Sequence, residues 1–360
     1  MSALTESPPR SIRRLVVKIG SGVVTFGGSS GLEIDRNVFF RIAREVAAAR
    51  HHGVDVAIVS SGAVALGIEE LGLDGRPESM SAVQATAAVG QGLLMSLWRE
   101  AFARHRLKVG QVLLTHSDLA DRQRYLNVRA TLDSLLEAEC VPVINENDTV
   151  ATDEIAFGDN DRLATQVANL MGADALVLLS TVDGLLDPAG QLVPYVALSD
   201  DPMALVQSRT SSTGRGGMGS KVQSARAAAR GGIAVTIANG KKADSVLGLV
   251  EGRPIGTRFE HAEQGLPSRK HWIAYTLKPR GALTVDPGAA RALRHEGASL
   301  LSVGITVVDG DFGVGDLVRV LDPSGNEIAR GLIRLAAPEL RGQVGTRGPV
   351  AIHRDDLVTI

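Results

Sequence analysis

The sequence predicts an α/β protein: a three-layer sandwich with a mainly parallel central sheet, followed by a small C-terminal β-barrel domain. Three observations lead there. From Leu15 to about Asn239 short apolar runs alternate with longer amphipathic stretches, the pattern of parallel strands joined by crossover helices. Several of the short runs are rich in Val and Ile and apolar on both faces, as a sheet covered by helices on each side requires. Beyond about residue 280 the texture changes to short β-like runs separated by glycine turns.

In chain order, the strands expected are Leu15 to Ile19, Asp55 to Ser60, Val109 to Leu114, Val141 to Asn145, Ala175 to Ser180 and Ile233 to Ala238. Helices are expected at Asp35 to His51, Ser79 to Arg106 and Tyr125 to Glu139, from apolar residues at three- and four-residue spacing. Asp35 suits an N-cap. A short helix follows near Ala243 to Val250. Glu260 to Arg280, with two prolines and mixed polarity, reads as a connection. The later β-like runs are Ala282 to Val285, Leu317 to Leu321, Ile328 to Arg334 and Val350 to Ile352, with turns at Asp309-Gly310, Gly313-Val314-Gly315 and Pro323-Ser324-Gly325. The division predicted is therefore 11–259, a linker over 260–280, and a β domain over 281–360. A length of 360 residues agrees with two domains at roughly 100 to 200 residues each.

Bulk composition excludes several classes. Hydrophobic residues make up 44% and charged residues 22%, so neither a disordered chain nor a fibrous repeat is expected. No apolar run reaches the ~20 residues of a membrane span, and the first ten residues lack the apolar block of a secretory signal, which points to a soluble cytoplasmic protein. The one cysteine, Cys140, allows no internal disulfide and no zinc site, and a packing role is expected for it. A net charge of -2 gives no general pull towards nucleic acid. Residues 281–360 carry eight arginines, no lysine and ten acidic residues, so a basic footprint for RNA is missing there too. Arg122, Arg124 and Arg129 stand at helical spacing and read as a solvated or interface face.

Four segments carry chemistry. Val16-Val17-Lys18-Ile19-Gly20-Ser21-Gly22 is an apolar strand that ends in a lysine and enters a glycine turn. Ligands of open α/β sheets collect at the carboxyl ends of strands, where glycine amides and a lysine can meet an anion. Taken alone, it fits an ordinary strand end with a solvated lysine as well. Ser60-Ser61-Gly62-Ala63 offers hydroxyls and amides at a helix start, as a carboxylate seat or as a simple N-cap. Asn145-Glu146-Asn147-Asp148 and Gly158-Asp159-Asn160-Asp161 form a dense polar set beside apolar strand and helix, more characteristic of a site than of a turn. Gly214-Arg215-Gly216-Gly217-Met218-Gly219-Ser220-Lys221 opens an Ala-rich helix, where free amides, the helix dipole and a lysine suit polyphosphate better than a flexible linker would.

These segments occur in order together with Ala87-Ala88-Val89-Gly90-Gln91, and with Thr284-Val285-Asp286, Gly297-Ala298-Ser299-Leu300-Leu301 and Val350 to Asp356 near the end. On them the chain resembles, over essentially its whole length, the glutamate 5-kinases: the amino-acid kinase fold followed by a PUA domain. The resemblance implies ATP-dependent phosphorylation of the side-chain carboxylate of L-glutamate, the first step of proline biosynthesis, with ATP as co-substrate and Mg²⁺ on its phosphates. It implies that Lys18 and Lys221 act on the transferred phosphoryl group with Asp161 orienting them, and that Ser61, Asp148 and Asn160 hold the amino acid. Ser180, Thr181, Arg215, Gly216, Gly217, Met218, Gly219, Ser220 and Lys221 would lie at the nucleotide. No residue is assigned to a metal. Ser180-Thr181 stands where relatives often carry Thr-Asp, and Arg215 and Gly219-Ser220 where they often carry threonine or serine. The resemblance further implies a homo-oligomer, proline as an inhibitor, and coupling to glutamate-5-semialdehyde dehydrogenase. Two other readings stay open at this point: a related kinase acting on aspartate or acetylglutamate, and an RNA-binding regulator working through the C-terminal domain.

Overall fold

The computed structural model describes residues 12–28, 31–151, 159–206, 217–263, 268–346 and 348–359. The chain divides into two compact units, Met1–Gly265 and Leu266–Ile360.

The first unit is built on an eight-stranded sheet: β1 (Arg14–Ile19), β2 (Asp55–Ser60), β3 (Lys108–Leu114), β4 (Cys140–Glu146), β5 (Ala175–Ser180), β6 (Tyr195–Val196), β7 (Ala234–Asn239) and β8 (Thr257–Phe259), in the order β3-β4-β2-β1-β5-β7-β8-β6. The first six strands of that order are mutually parallel; β8 runs antiparallel to β7 and carries β6 parallel beside it. β1 lies between β2 and β5, with Lys18 level with Val59 and Leu178. Its apolar residues Leu15, Val16, Val17 and Ile19 are fully buried, each worth roughly 1.5–3 kcal/mol against exposure. Chain order reverses direction about β1: β2, β3 and β4 lie to one side and β5 and β7 to the other. Ligands of such sheets bind at the carboxyl ends of the strands where this happens.

Helices cover the sheet: α1 (Arg36–His51), α2 (Ala63–Leu71), α3 (Met80–Ala103), α4 (Arg122–Glu137), α5 (Asp159–Met171) and α6 (Met218–Arg230). Asp35 caps α1 by accepting from the Asn37 amide, and α1 buries Val38, Phe39, Ile42, Val46 and Ala49 at helical spacing. Ser79 caps α3 in the same way. Phe39 meets Trp98 of α3 edge-on at 4.8 Å between ring centres, an arrangement worth about 0.5–1.5 kcal/mol beyond its buried area. α2 and α3 touch through glycines. A Cβ on Gly90 would lie 1.8 Å from the Ala63 carbonyl oxygen, and one on Gly67 1.9 Å from that of Thr86. Only glycine lets these backbones approach so closely, and the approach brings α3 against the turn that opens α2. On α4, Arg124 pairs with Asp118 at 2.8 Å and Arg129 with Asp133 at 3.9 Å, as a solvated face would, whereas Arg122 departs from that expectation: it is half-buried with Nη1 enclosed and its guanidinium 5.4 Å from the centre of the Tyr125 ring. Cys140 opens β4, half-buried.

The second unit has its own core, including Leu283, Leu293, Phe312, Val318, Val320, Leu340 and Ile352. Its five-stranded sheet contains β9 (Gly281–Val285), β10 (Ile305–Gly310), β11 (Leu317–Leu321), β12 (Glu327–Leu332) and β13 (Leu357–Thr359), ordered β10-β9-β11-β12-β13. β10 corrects the expected turn at Asp309-Gly310: these residues end a strand. It is an edge strand with Val307 half exposed, so it lacks the apolar alternation that marks a covered strand. The stretch 260–280 is not a linker throughout. Glu260 and Ala262 hydrogen-bond to Val196 and Ala229 of the first unit. Trp272, Ile273 and Ala274 are buried in a single π-helical turn, and Arg330 of β12 donates to the Ala274 carbonyl at 2.8 Å. The apolar run at 272–274 had been masked by polar neighbours and prolines.

Candidate functional site

Lys18 is the penultimate residue of β1, and its side chain lies between sheet and helices with only 3% of the residue exposed. Its Nζ stands 2.5 Å from Oδ1 of Asp161, in the first turn of α5. The other oxygen of the same carboxylate, Oδ2, accepts from Nζ of Lys221, in the first turn of α6, at 3.0 Å. Asp161 is completely buried and Lys221 is 7% exposed. One carboxylate thus bridges two cations and leaves the buried cluster with a charge of +1. Burial pushes the Lys18 ammonium down to about 8, and Lys221 pushes it the same way, while Asp161 pulls against both. Burial alone would raise Asp161, but the two lysines outweigh it and hold its carboxyl below the usual range. At neutral pH the cluster is a cation seeking a second anion.

Asn160, the residue beside Asp161, turns to a different set of partners. Its Nδ2 donates to Ser61 Oγ at 3.0 Å, to Asn145 Oδ1 at 3.1 Å and to the Ser60 carbonyl at 3.3 Å. Asn145 in turn donates to Gln91 Oε1 on α3 at 2.8 Å. Ser61 follows β2, its amide held by the Ile19 carbonyl at 3.1 Å. Gly62 then takes φ +117°, a left-handed turn that aims the chain into α2 and that a side chain would strain. Trp98 fixes the Ser60 hydroxyl at 3.0 Å. Asp148 sits half-buried two residues past β4, and burial raises its carboxyl to about 6, with Arg76 opposing.

Of the residues expected at a nucleotide, Ser180 ends β5 and its carbonyl accepts from the Gly240 amide at 2.8 Å. Thr181 follows, with its methyl 3.0 Å from where a Cβ on Gly22 would stand, so the loops after β1 and β5 are in contact. Gly217 is the N-cap of α6, and Met218, Gly219, Ser220 and Lys221 form its first turn. Arg215 and Gly216 lie outside the described residues. The structure therefore gathers Lys18, Asp161 and Lys221 in one cluster and Ser61 and Asn160 in a second. Sequence reasoning gave no individual role to three groups at the same edge, although Asn145 and Gln91 stand in segments it named. Asn145 and Gln91 complete the amide chain. Asp183 lies 2.7 Å from Lys242 and accepts from Asn239 at 2.9 Å. The signal for the last was present, since Gly240-Lys241-Lys242 directly follows a strand.

Residues 13–239 match the profile of the amino acid kinase family. The chain belongs to the amino acid kinase family. Residues 281–347 match the PUA domain. Among curated relatives, the glutamate 5-kinase of Chromohalobacter salexigens is 44% identical over 98% of this chain and 97% of its own length. That of Halorhodospira halophila is 45% identical over 97% of each. That of Meiothermus ruber is 47% identical over 91% of this chain and 87% of its own. No described helix is long and apolar enough to cross a membrane.

Proposed function

We propose that this kinase transfers the terminal phosphoryl group of ATP to the side-chain carboxylate of L-glutamate, giving L-glutamyl 5-phosphate at the start of proline biosynthesis. The observation that carries the reading is the pairing of Asn160 and Asp161. Consecutive residues in the first turn of α5 serve two neighbouring clusters, one a buried cation suited to phosphate and the other a hydroxyl–amide seat suited to an amino acid. The names of the full-length relatives supply the amino acid.

A glutamate side chain, with a reference pKa near 4.3, is already ionised at neutral pH, so its attack needs no general base. The obstacle is the approach of one anion to another, and phosphoryl transfer depends on positioning and charge neutralisation. Lys18 and Lys221 supply charge, and Asp161 fixes both. Asp148, with its carboxyl at about 6, is ionised at pH 7 and available for the substrate ammonium. Ser180, Thr181 and the start of α6 would face the nucleotide, with the helix dipole towards the phosphates. Mg²⁺ would arrive on the ATP phosphates and add positive charge there. No three His, Cys, Asp or Glu side chains form a metal cage among the described residues. Both oxygens of Asp161 are already taken by lysines. Magnesium ordinarily keeps phosphate and water ligands, which fits this donor set.

The acyl phosphate product is reactive and can cyclise, which favours handover to the reductase that consumes it. A cytosolic address suits an enzyme that consumes ATP. Assembly into several subunits and restraint by proline are supported by the resemblance alone.

A coupled ATP-consumption assay across L-glutamate, aspartate and acetylglutamate tests the reading. Turnover with glutamate well above the others is expected, and turnover with another acceptor or with none would refute it. The pH profile checks the lysine's part. Lys18 loses its proton as pH rises through about 8, so kcat/KM for ATP should fall above that pH, approaching about tenfold per unit. A profile flat to pH 10 would remove Lys18 from phosphate binding.

A further inference from the structure

We infer that Asp183 accepts a hydrogen bond from a ribose hydroxyl of ATP through its Oδ2 atom, in a seat built at the carboxyl ends of β5 and β7; the inference rests on the ATP part of the reading above. Along the sheet edge the cation cluster marks the end of β1, and the hydroxyl–amide seat lies to one side of it, beside β2 and β4. The nucleotide is therefore left the other side, over β5 and then β7, where Ser180 is level with Asn239. Adjacent strands stand about 4.8 Å apart, so two steps from β1 lead from the terminal phosphate towards the sugar. The chain after β5 makes the same crossing. The Ser180 carbonyl accepts from Gly240, just past β7, and the Leu185 amide donates to Thr257 Oγ1 on β8. Asp183 lies between these two anchors.

The surroundings of Asp183 fix it as an acceptor. Its Oδ1 takes the Lys242 ammonium at 2.7 Å and Asn239 Nδ2 at 2.9 Å. The Asn239 amide cannot turn over, because its own Oδ1 accepts from the Lys241 backbone amide at 2.9 Å and a backbone N–H can only donate. Both donors thus fall on one oxygen, and Oδ2 has no hydrogen-bond partner among the described residues. Lys242 and Asn239 hold the carboxyl below its usual range, so it is ionised at neutral pH and can only accept. The donors of a nucleotide nearest its phosphates are the ribose hydroxyls, and a carboxylate at the end of a parallel strand is an established way to hold them in other nucleotide-binding sheets.

The seat is held in place before any ligand arrives. Glu45 on α1 is 1% exposed and accepts from the Asp244 and Val246 amides at 3.0 and 2.8 Å. Arg41 donates to the Lys242 carbonyl at 2.6 Å and also to that of Gly240. Lys241 reaches the Thr25 carbonyl at 2.8 Å. The loop after β7 is thereby tied to α1 and to the segment after β1, which gives Lys242 a fixed place from which to hold Asp183. An isolated surface ion pair lacks such support.

The test uses the full-length enzyme with ATP and its two deoxy analogues, each lacking one ribose hydroxyl. Wild type should prefer ATP over at least one analogue by about tenfold in kcat/KM, the low end for a hydrogen bond to a charged group. Asp183→Ala should raise KM for ATP by a similar factor and use that analogue as well as ATP, while KM for L-glutamate stays within about twofold. The Asp183 side chain is 47% exposed, so its truncation leaves the core untouched, and the wild-type comparison stands by itself. Calorimetric titration without an acceptor reads the same ratios as binding constants, so turnover with an acceptor other than glutamate would refute the glutamate reading and leave this result readable. Equal binding of all three nucleotides by wild type, or discrimination retained in Asp183→Ala, would overturn the inference. So would the loss, in Asp183→Ala, of a preference for ATP over inosine triphosphate instead, since that places the adenine amino group at this carboxylate.

Discussion

Replacing Lys18 by alanine should lower kcat by at least ~10²-fold, the effect of removing one preorganised donor from a transition state. The reason is where the charge sits. Lys18 is held at the carboxyl end of a central strand, 3% exposed, with its ammonium locked on Asp161 before any ligand arrives. Solvent cannot replace it, because a water entering the same space brings no charge and would have to be ordered. KM for glutamate should change far less than kcat, since Ser61, Asn160 and Asn145 form a separate hydrogen-bonded set. A Lys18→Ala enzyme with near-normal kcat would show that the phosphoryl group passes elsewhere.

Asp161→Asn should cost about 3–5 kcal/mol of stability, the usual result of breaking a buried ion pair by removing one partner. Two ammonium groups, 3% and 7% exposed, would lose their shared anion. The loss depends on pH in a definite direction. Without Asp161, Lys18 is depressed further below its ordinary value, so the folded state binds fewer protons than the unfolded one. Stability then rises with pH, and the destabilisation should be deeper at pH 6 than at pH 9. Urea unfolding of the wild type and variant at both pH values measures this. A variant within about 1 kcal/mol of wild type at pH 6 would mean that Asp161 does not hold the lysines together.

Much of this was legible in the sequence because it is local. The six long parallel strands of the sheet announce themselves as apolar runs, and Lys18 stands out as a charge at the end of one of them. Asn160 and Asp161 are conspicuous in a polar tetrad that opens a helix. Without the family resemblance, nothing local shows that Asp161 bridges two lysines, because Lys18, Asp161 and Lys221 belong to three distant segments that only the sheet order brings together. Gln91 was named only within a segment that carries the resemblance, and its contact with Asn145 was not foreseen, because it lies inside a long helix whose apolar periodicity dominates the reading and Asn145 is distant in sequence. The edge strand at 305–310 and the buried turn at 272–276 were missed because each departs from the periodicity that marks a covered element.

A crystal structure with a non-hydrolysable ATP analogue and L-glutamate tests the central claim most directly. Both Nζ atoms, of Lys18 and Lys221, should lie within about 3 Å of terminal phosphate oxygens, with the substrate side-chain carboxylate about 3–3.5 Å from the terminal phosphorus. A bound triphosphate met by neither lysine, or by only one while the other points into solvent, would contradict it.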